Sequence, residues 1–271
     1  MTHPNNVKIE IANLVVSLSC HPPSLHKHLR KRYHKFLTED KAQIEAHIEL
    51  SGKERPNALL EPKTTFNKDT VRFTSPGFQG EIDLKTKKAQ LRLSSATPIE
   101  EIDYLIRVIY AVLAFESGGL LFHSAGIVRD GQSFLFFGHS GSGKTTVSRL
   151  SPQYLTLNDD LLILMPQGDG WQAHGTPFWN PSQTRPSAQH APLAGLFRLV
   201  QDKNVHLEKI SKGQALAELI GNIPIIPLSA PRNLPLLHRL ETLIDAIPIY
   251  HLHFLPDDSF WQIIQKQFNI S

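Results

Sequence analysis

The sequence predicts an α/β protein: a β-rich N-terminal region over residues 1–97, then a mixed-sheet domain over residues 98–271 built around a phosphate loop. Three observations carry this. Short runs of alternating apolar and polar residues recur between Val7 and Leu93, the period of half-buried strands. Ile102, Leu105, Ile106, Ile109, Tyr110 and Leu113 recur at helical spacing. The apolar run Ser133 to Phe137 leads straight into Gly138-His139-Ser140-Gly141-Ser142-Gly143-Lys144-Thr145-Thr146, which fits the pattern G-x-x-x-x-G-K-[ST] in full.

Taken in order, Val7–Ile11 and Leu14–Leu18 form one bent strand or two short ones. Pro22-Pro23 breaks the chain, and Ser24 caps a short helix through about Phe36 with a basic face of Lys27, Arg30, Lys31 and Arg32. Gln43 to Leu50 alternates as a strand, and Ser51 to Asn67 is a polar loop. Val71–Phe73, Gly80–Leu84 and Ala89–Leu93 are short strands. Thr97-Pro98-Ile99-Glu100 starts a helix, with a cap, a proline at the first position and a glutamate three after the cap. Gly118-Gly119 ends it. Leu120 to Val128 is a strand element broken near its middle, and Arg129-Asp130-Gly131-Gln132 turns the chain into the strand before the loop. Beyond the loop, Ile223 to Pro231 is linking, Leu234 to Ala246 an amphipathic helix, Ile249 to Leu255 a strand and Asp258 to Phe268 a last helix.

The bulk properties exclude several classes. The chain has 271 residues, 41% hydrophobic and 20% charged, an ordinary globular composition. A net charge of +3 is too small by itself to argue for a nucleic-acid partner, and none is expected. No apolar run approaches the roughly 20 residues that span a bilayer, so no membrane partner is expected. Cys20 is the sole cysteine, and the first residues have no apolar core of a signal peptide. A cytoplasmic protein is the expectation.

The loop chemistry follows from residue type. Gly138, Gly141 and Gly143 let the backbone turn tightly and present N–H groups to phosphate oxygens. Lys144 adds a mobile positive charge, and the Thr145 hydroxyl is placed to ligate Mg²⁺. Downstream, Asn158-Asp159-Asp160 puts two carboxylates at the end of an apolar segment. Transfer to a hydroxyl needs a base near that hydroxyl and a carboxylate near the metal. Adjacent aspartates supply both if the chain bends between them; otherwise the three residues are a turn. His251 and His253 share a strand face, but no third metal ligand is close in sequence, so both are expected to be surface or structural residues.

The block Leu121-Phe122-His123-Ser124-Ala125-Gly126-Ile127-Val128, a hairpin, Phe137 to Thr146, then Leu157-Asn158-Asp159-Asp160 resembles the catalytic core of the HPr kinase/phosphorylase superfamily. That group is related in fold to the phosphoenolpyruvate carboxykinases. The resemblance covers residues about 98 to 165 and, more loosely, Ala191 to Val200 and Ile210 to Leu216. It implies an HPr kinase/PEP carboxykinase-like fold in which Gly138, Ser140, Gly141, Ser142, Gly143, Lys144, Thr145 and Thr146 hold the phosphates of ATP. Thr145 would bind Mg²⁺, and Asp159 would be the base. Asp160 would help with the metal or with the active-site histidine, and His123 would sit beside the transferred phosphoryl group. Relatives form homo-oligomers, although no interface is legible here. The glutamate- and arginine-containing signature of true HPr kinases is not recognisable after the Asp pair. In its place stands His174 to Pro181, which looks like a substrate-side loop carrying Thr176, Phe178 and Trp179. Arg185 and Arg198 are candidates for stabilising the transferred charge.

The expected function is an ATP- and Mg²⁺-dependent kinase acting on a serine hydroxyl, in a peptide, a protein or free serine. The rivals are a nucleotide-binding regulatory or scaffold protein and a small-metabolite kinase of the same fold.

Overall fold

The computed structural model describes residues 6–51, 62–94, 98–178, 186–225 and 230–270. It is a mixed α/β protein, mostly strands, with two mixed sheets. The chain divides into two compact units, Met1–Leu113 with Pro227–Asn233, and Ala114–Ile226 with Leu234–Ser271.

The first unit holds β1 (Val7–Ile11), β2 (Leu14–His21), α1 (Ser24–Arg32), β3 (Ile44–Leu50), β4 (Lys63–Phe66), β5 (Thr70–Thr74), β6 (Phe78–Asp83) and β7 (Lys88–Leu93), then most of α2 (Pro98–Glu116). Its sheet runs β1-β2-β3-β7-β6-β5-β4. β2, β3 and β7 pair in parallel; the other pairs are antiparallel. Strict alternation in β3 and β7 buries Ile44, Ala46, Ile48, Ala89, Leu91 and Leu93. Tyr110 of α2 is fully buried, and its hydroxyl donates to Ile9 O at 2.7 Å.

Four expectations change here. The first helix stops at Arg32, and His34–Phe36 is a separate 3₁₀ turn. Tyr33 leaves helical geometry because its ring is buried and its hydroxyl donates to Asp103. Pro23 rather than Ser24 holds the cap position, with no side-chain cap bond. Arg32 also leaves the solvated basic face to pair with Asp103 at 2.6 Å. The polar stretch expected as a loop up to Asn67 contains the edge strand β4. The Thr97 cap lies outside the described residues.

The second unit holds β8 (Leu120–Arg129), β9 (Gln132–Phe137), α3 (Lys144–Arg149), β10 (Leu155–Asn158), β11 (Leu161–Gln167), β12 (Gly170–Gly175), β13 (His190–Gln201), β14 (His206–Lys209), α4 (Lys212–Ile220), most of α5 (Ala230–Ala246), β15 (Ile249–Phe254) and α6 (Phe260–Phe268). β8 and β9 form a hairpin through Asp130 and Gly131, both at positive φ (49° and 74°), the geometry an Asp-Gly turn favours. β13 runs parallel to β9 and to β15, and β14 closes that edge antiparallel. β12 pairs with both β11 and the start of β13.

β8 is one unbroken strand of 10 residues, not an element broken at its middle. Gly126 within it passes close to β11, where a Cβ would sit 2.9 Å from the Leu162 side chain. What changes along β8 is its neighbour. β10 pairs with its C-terminal half and β11 with its N-terminal half.

The run Ser133 to Phe137 is buried throughout because it is covered on both sides. Leu135 and Phe137 pack with Phe122, Leu162, Leu196 and residues of α4 and α5. Phe134 and Phe136 pack with Ile127, Phe197, Leu252, Val147 of α3 and Trp261 of α6. The loop after Phe137 is therefore anchored to a stiff strand. Among the described residues no helix is long and apolar enough to cross a membrane.

Candidate functional site

Residues 138–143 join β9 to α3, and three of their glycines take positive φ: Gly138 148°, Gly141 81° and Gly143 112°. Two of these positions are also tight. A Cβ on Gly143 would lie 2.5 Å from the Phe254 ring, and one on Gly138 would lie 2.9 Å from Arg198 Nη1. Gln201 holds the loop from outside, donating to Gly141 O at 3.1 Å. Ser140 is exposed, Ser142 is buried, and Thr145 and Thr146 are half-buried at the start of α3.

Lys144 is buried and folds back over the loop. Its Nζ donates to Gly138 O at 2.8 Å and to His139 O at 3.2 Å. Burial lowers its pKa, the Asp160 carboxylate pulls the other way, and the Arg198 guanidinium lowers it further. Lys144 therefore shares one electrostatic environment with Asp160 and Arg198.

The pairing of β8 explains how Asp160 comes to be there. Asn158 pairs with Gly126, and Leu161 pairs with His123, three residues on along each strand. β11 thus resumes the line of β10, with Asp159 and Asp160 as the interruption. Asn158 fills the gap. Its Oδ1 accepts from Asp160 N at 2.7 Å and Leu161 N at 3.2 Å, while its Nδ2 donates to Thr176 O at 2.8 Å and Phe178 O at 3.1 Å. The interruption leaves Asp160 Oδ1 at 3.1 Å from His123 Nε2, with both side chains part-exposed. His123 is held by its own backbone N–H, which donates to Asn222 O at 2.8 Å. Asp159 is 1% exposed.

The structure brings His123, Asp160, Lys144 and the glycine loop together. It does not bring Thr176 or Phe178 to a substrate surface. Both are fully buried. The Thr176 hydroxyl donates to Leu161 O at 2.7 Å and accepts from Phe178 N at 3.3 Å. These residues brace the Asn158 turn from behind. Trp179 and Arg185 lie outside the described residues. Three residues with a part in the site carry little signal in the sequence: Asn158, legible there only as part of a turn; Gln201; and Glu218, which accepts from Arg198 Nε at 2.9 Å.

A family model described as "ScmC: SynChlorMet cassette protein ScmC" matches residues 92–226. That span includes the loop, the Asn158 turn, Arg198 and Glu218. Among solved structures, the chain is similar to the Hpr(Ser) kinase/phosphatase from Coxiella burnetii, at 17% identity and a TM-score of 0.26. That alignment covers 46% of this chain and 88% of the other. No curated protein matches.

Proposed function

We propose that the chain is a Mg²⁺-dependent kinase that moves the γ-phosphoryl group of ATP to a hydroxyl. The acceptor is a serine, in a peptide, a protein or free. The observation that carries this reading is the Asp160 carboxylate, 3.1 Å from His123 and within electrostatic reach of Lys144 at the glycine loop. Holding a nucleotide requires no such pair.

The residues fit a polyphosphate. The loop approaches its surroundings where only glycine is accommodated, at Gly138 and Gly143. The Ser142 hydroxyl is buried with no hydrogen-bond partner among the described residues, and a phosphate oxygen would give it one. Among the described residues the Lys144 ammonium donates only to neutral carbonyls of its own loop; a phosphate oxygen is the stronger acceptor for it. Thr145 is the hydroxyl donor for Mg²⁺, which when bound neutralises charge on the phosphoryl group being transferred.

In the proposed step the acceptor oxygen attacks Pγ, the bond from Pγ to the bridging oxygen breaks, ADP leaves and the hydroxyl proton passes to a carboxylate. The family resemblance implies Asp159 for that proton. Exposure supports Asp160 instead, because a base must come within about 3 Å of the hydroxyl, and Asp159 is 1% exposed against 25% for the Asp160 side chain. His123 then steadies the Asp160 charge before transfer.

The test is acceptor-dependent ADP release with ATP, Mg²⁺ and serine or serine-containing peptides. Lys144→Ala should abolish both transfer and tight nucleotide binding. Asp160→Asn should abolish transfer and keep Mg²⁺-dependent nucleotide binding. Loss of that Mg²⁺ dependence would move Asp160 to the metal role. Full turnover by Asp160→Asn with none by Asp159→Asn would return the base to Asp159. Tight ATP binding with no release on any acceptor would favour the regulatory reading.

A further inference from the structure

His251 and His253 gain partners that lie far away in sequence. The antiparallel register pairs His206 with His253 and Glu208 with His251. Residues two apart on a strand share a face, so all four side chains stand on one face of the sheet edge. Glu208 Oε2 lies 3.0 Å from His251 Nδ1 and 3.4 Å from His253 Nε2. The candidate ligand atoms of Glu208, His251 and His253 all lie within 4.8 Å of one another. Ligands at about 2.0–2.1 Å around a tetrahedral ion are themselves separated by roughly 3.3 Å. An ion therefore enters this triad with only small side-chain shifts.

The groups behind the triad point the same way. His253 Nδ1 donates to Asp202 Oδ2 at 2.9 Å. This leaves its Nε2 lone pair facing the Glu208 carboxylate. His251 Nε2 faces Glu218 Oε1 at 3.6 Å. Four ring nitrogens thus face three carboxylates, whereas two neutral imidazoles own two N–H groups between them. A cation between Glu208 and the two nearer nitrogens completes the arrangement. The Asp202 carboxylate behind His253 fixes the tautomer of that ring, while Glu218 stands near His251 Nε2 beyond hydrogen-bond distance. The histidines are mostly covered, at 19% and 16% side-chain exposure, while Glu208 at 54% leaves a path in from solvent.

We propose that Glu208, His251 and His253 bind one divalent transition-metal ion of the Zn²⁺ class, with Asp202 as the supporting carboxylate behind His253. Imidazole with carboxylate suits such an ion, and solvent completes the fourth position. The site is separate from the Mg²⁺ proposed at Thr145. His206 stacks on His253 with ring centroids 4.1 Å apart. With Asp202 and His253 it forms an overlapping triad. That alternative leaves Glu208 and His251 without a role, so the first triad is the one assigned.

The test is titration of the metal-stripped full chain with Zn²⁺ against a chromogenic chelator, and with Co²⁺ read by its visible absorption. Wild type should bind one equivalent, with the intense Co²⁺ bands of a four-coordinate site. Glu208→Gln, a mild change at an exposed edge, should weaken binding at least tenfold, and His253→Ala should abolish it. Asp202→Asn should weaken it by about 10- to 100-fold. His206→Ala should leave it within threefold. Far-UV circular dichroism confirms that each variant is folded. No stoichiometric binding by wild type overturns the proposal. So does binding that survives Glu208→Gln but is lost in His206→Ala.

Discussion

Replacing Asn158 by alanine removes five hydrogen bonds from the interior of the second unit. Two are short, to Asp160 N at 2.7 Å and Thr176 O at 2.8 Å; three are longer, to Phe178 O at 3.1 Å, Leu161 N at 3.2 Å and Thr176 Oγ1 at 3.3 Å. At about 1.5 kcal/mol for each short bond and 0.5 for each long one, the loss is about 4.5 kcal/mol. Asn158 is fully buried, so water does not readily take over these partners. A loss of that size is a large share of a typical domain's stability. It should appear in urea unfolding as a lower midpoint with an unchanged slope. The second readout is chemical. Asn158 touches neither loop nor acceptor but sets the backbone of Asp160, so kcat should fall by about 10²-fold for a misplacement near 1 Å, with ATP affinity held within about threefold. A stability loss under about 1 kcal/mol, or an unchanged kcat, would refute the assignment of Asn158 as the residue that positions Asp160.

Three further outcomes follow. Gly143→Ala forces a side chain into φ 112° and to 2.5 Å from the Phe254 ring. It should destabilise by about 1–3 kcal/mol in urea unfolding and weaken ATP binding at least tenfold in calorimetry. His174 is buried beside His190, and burial first, then the His190 charge, lowers its pKa from 6.5 to about 4. A base depressed in the fold stays neutral there while the unfolded chain takes up a proton, so its contribution is lost as pH falls from about 6.5 to about 4. Unfolding followed across that window should show up to about 3 kcal/mol more acid destabilisation in wild type than in His174→Gln. Lys144 is lowered from 10.5 chiefly by burial. ATP affinity should therefore begin to fall at a lower alkaline pH than an exposed lysine would give, and this fall should be absent in Lys144→Arg.

What was legible in the sequence was local. The apolar run Ser133–Phe137, the glycine loop and the Asp-Gly hairpin each depend on neighbours within a few residues, and the structure has all three. Side-chain direction was not local. Thr176 and Phe178 look like surface in a Gly- and Pro-rich stretch, yet they are buried, because Gly175 passes so close to Ser187 O and Leu157 O that the segment packs inward. A Cβ on Gly175 would lie 1.9 Å from Ser187 O. The partners of His251 and His253 were hidden for the same reason. β14 is a short, polar edge strand with no alternation to announce it, and only its register against β15 brings Glu208 to His251.

Two neighbouring aspartates end in unlike surroundings, and the cause lies in the strand pairing. In a regular strand residues 159 and 160 would point to opposite faces, each fixed by its ladder bonds. Here the ladder between Asn158 and Leu161 is replaced by the Asn158 side chain. One backbone link survives, Ser124 N donating to Asp160 O at 3.0 Å. That link keeps Asp160 beside β8, where His123 is its neighbour, while Asp159 turns into the interior. A carboxamide in place of a strand partner thus separates two carboxylates one residue apart in both burial and electrostatic company. Unlike surroundings are what allow chemically identical groups to take different roles. The single-residue offset between Thr156 and Asn158 in the β10–β8 register is therefore as much a part of the candidate site as the aspartates themselves.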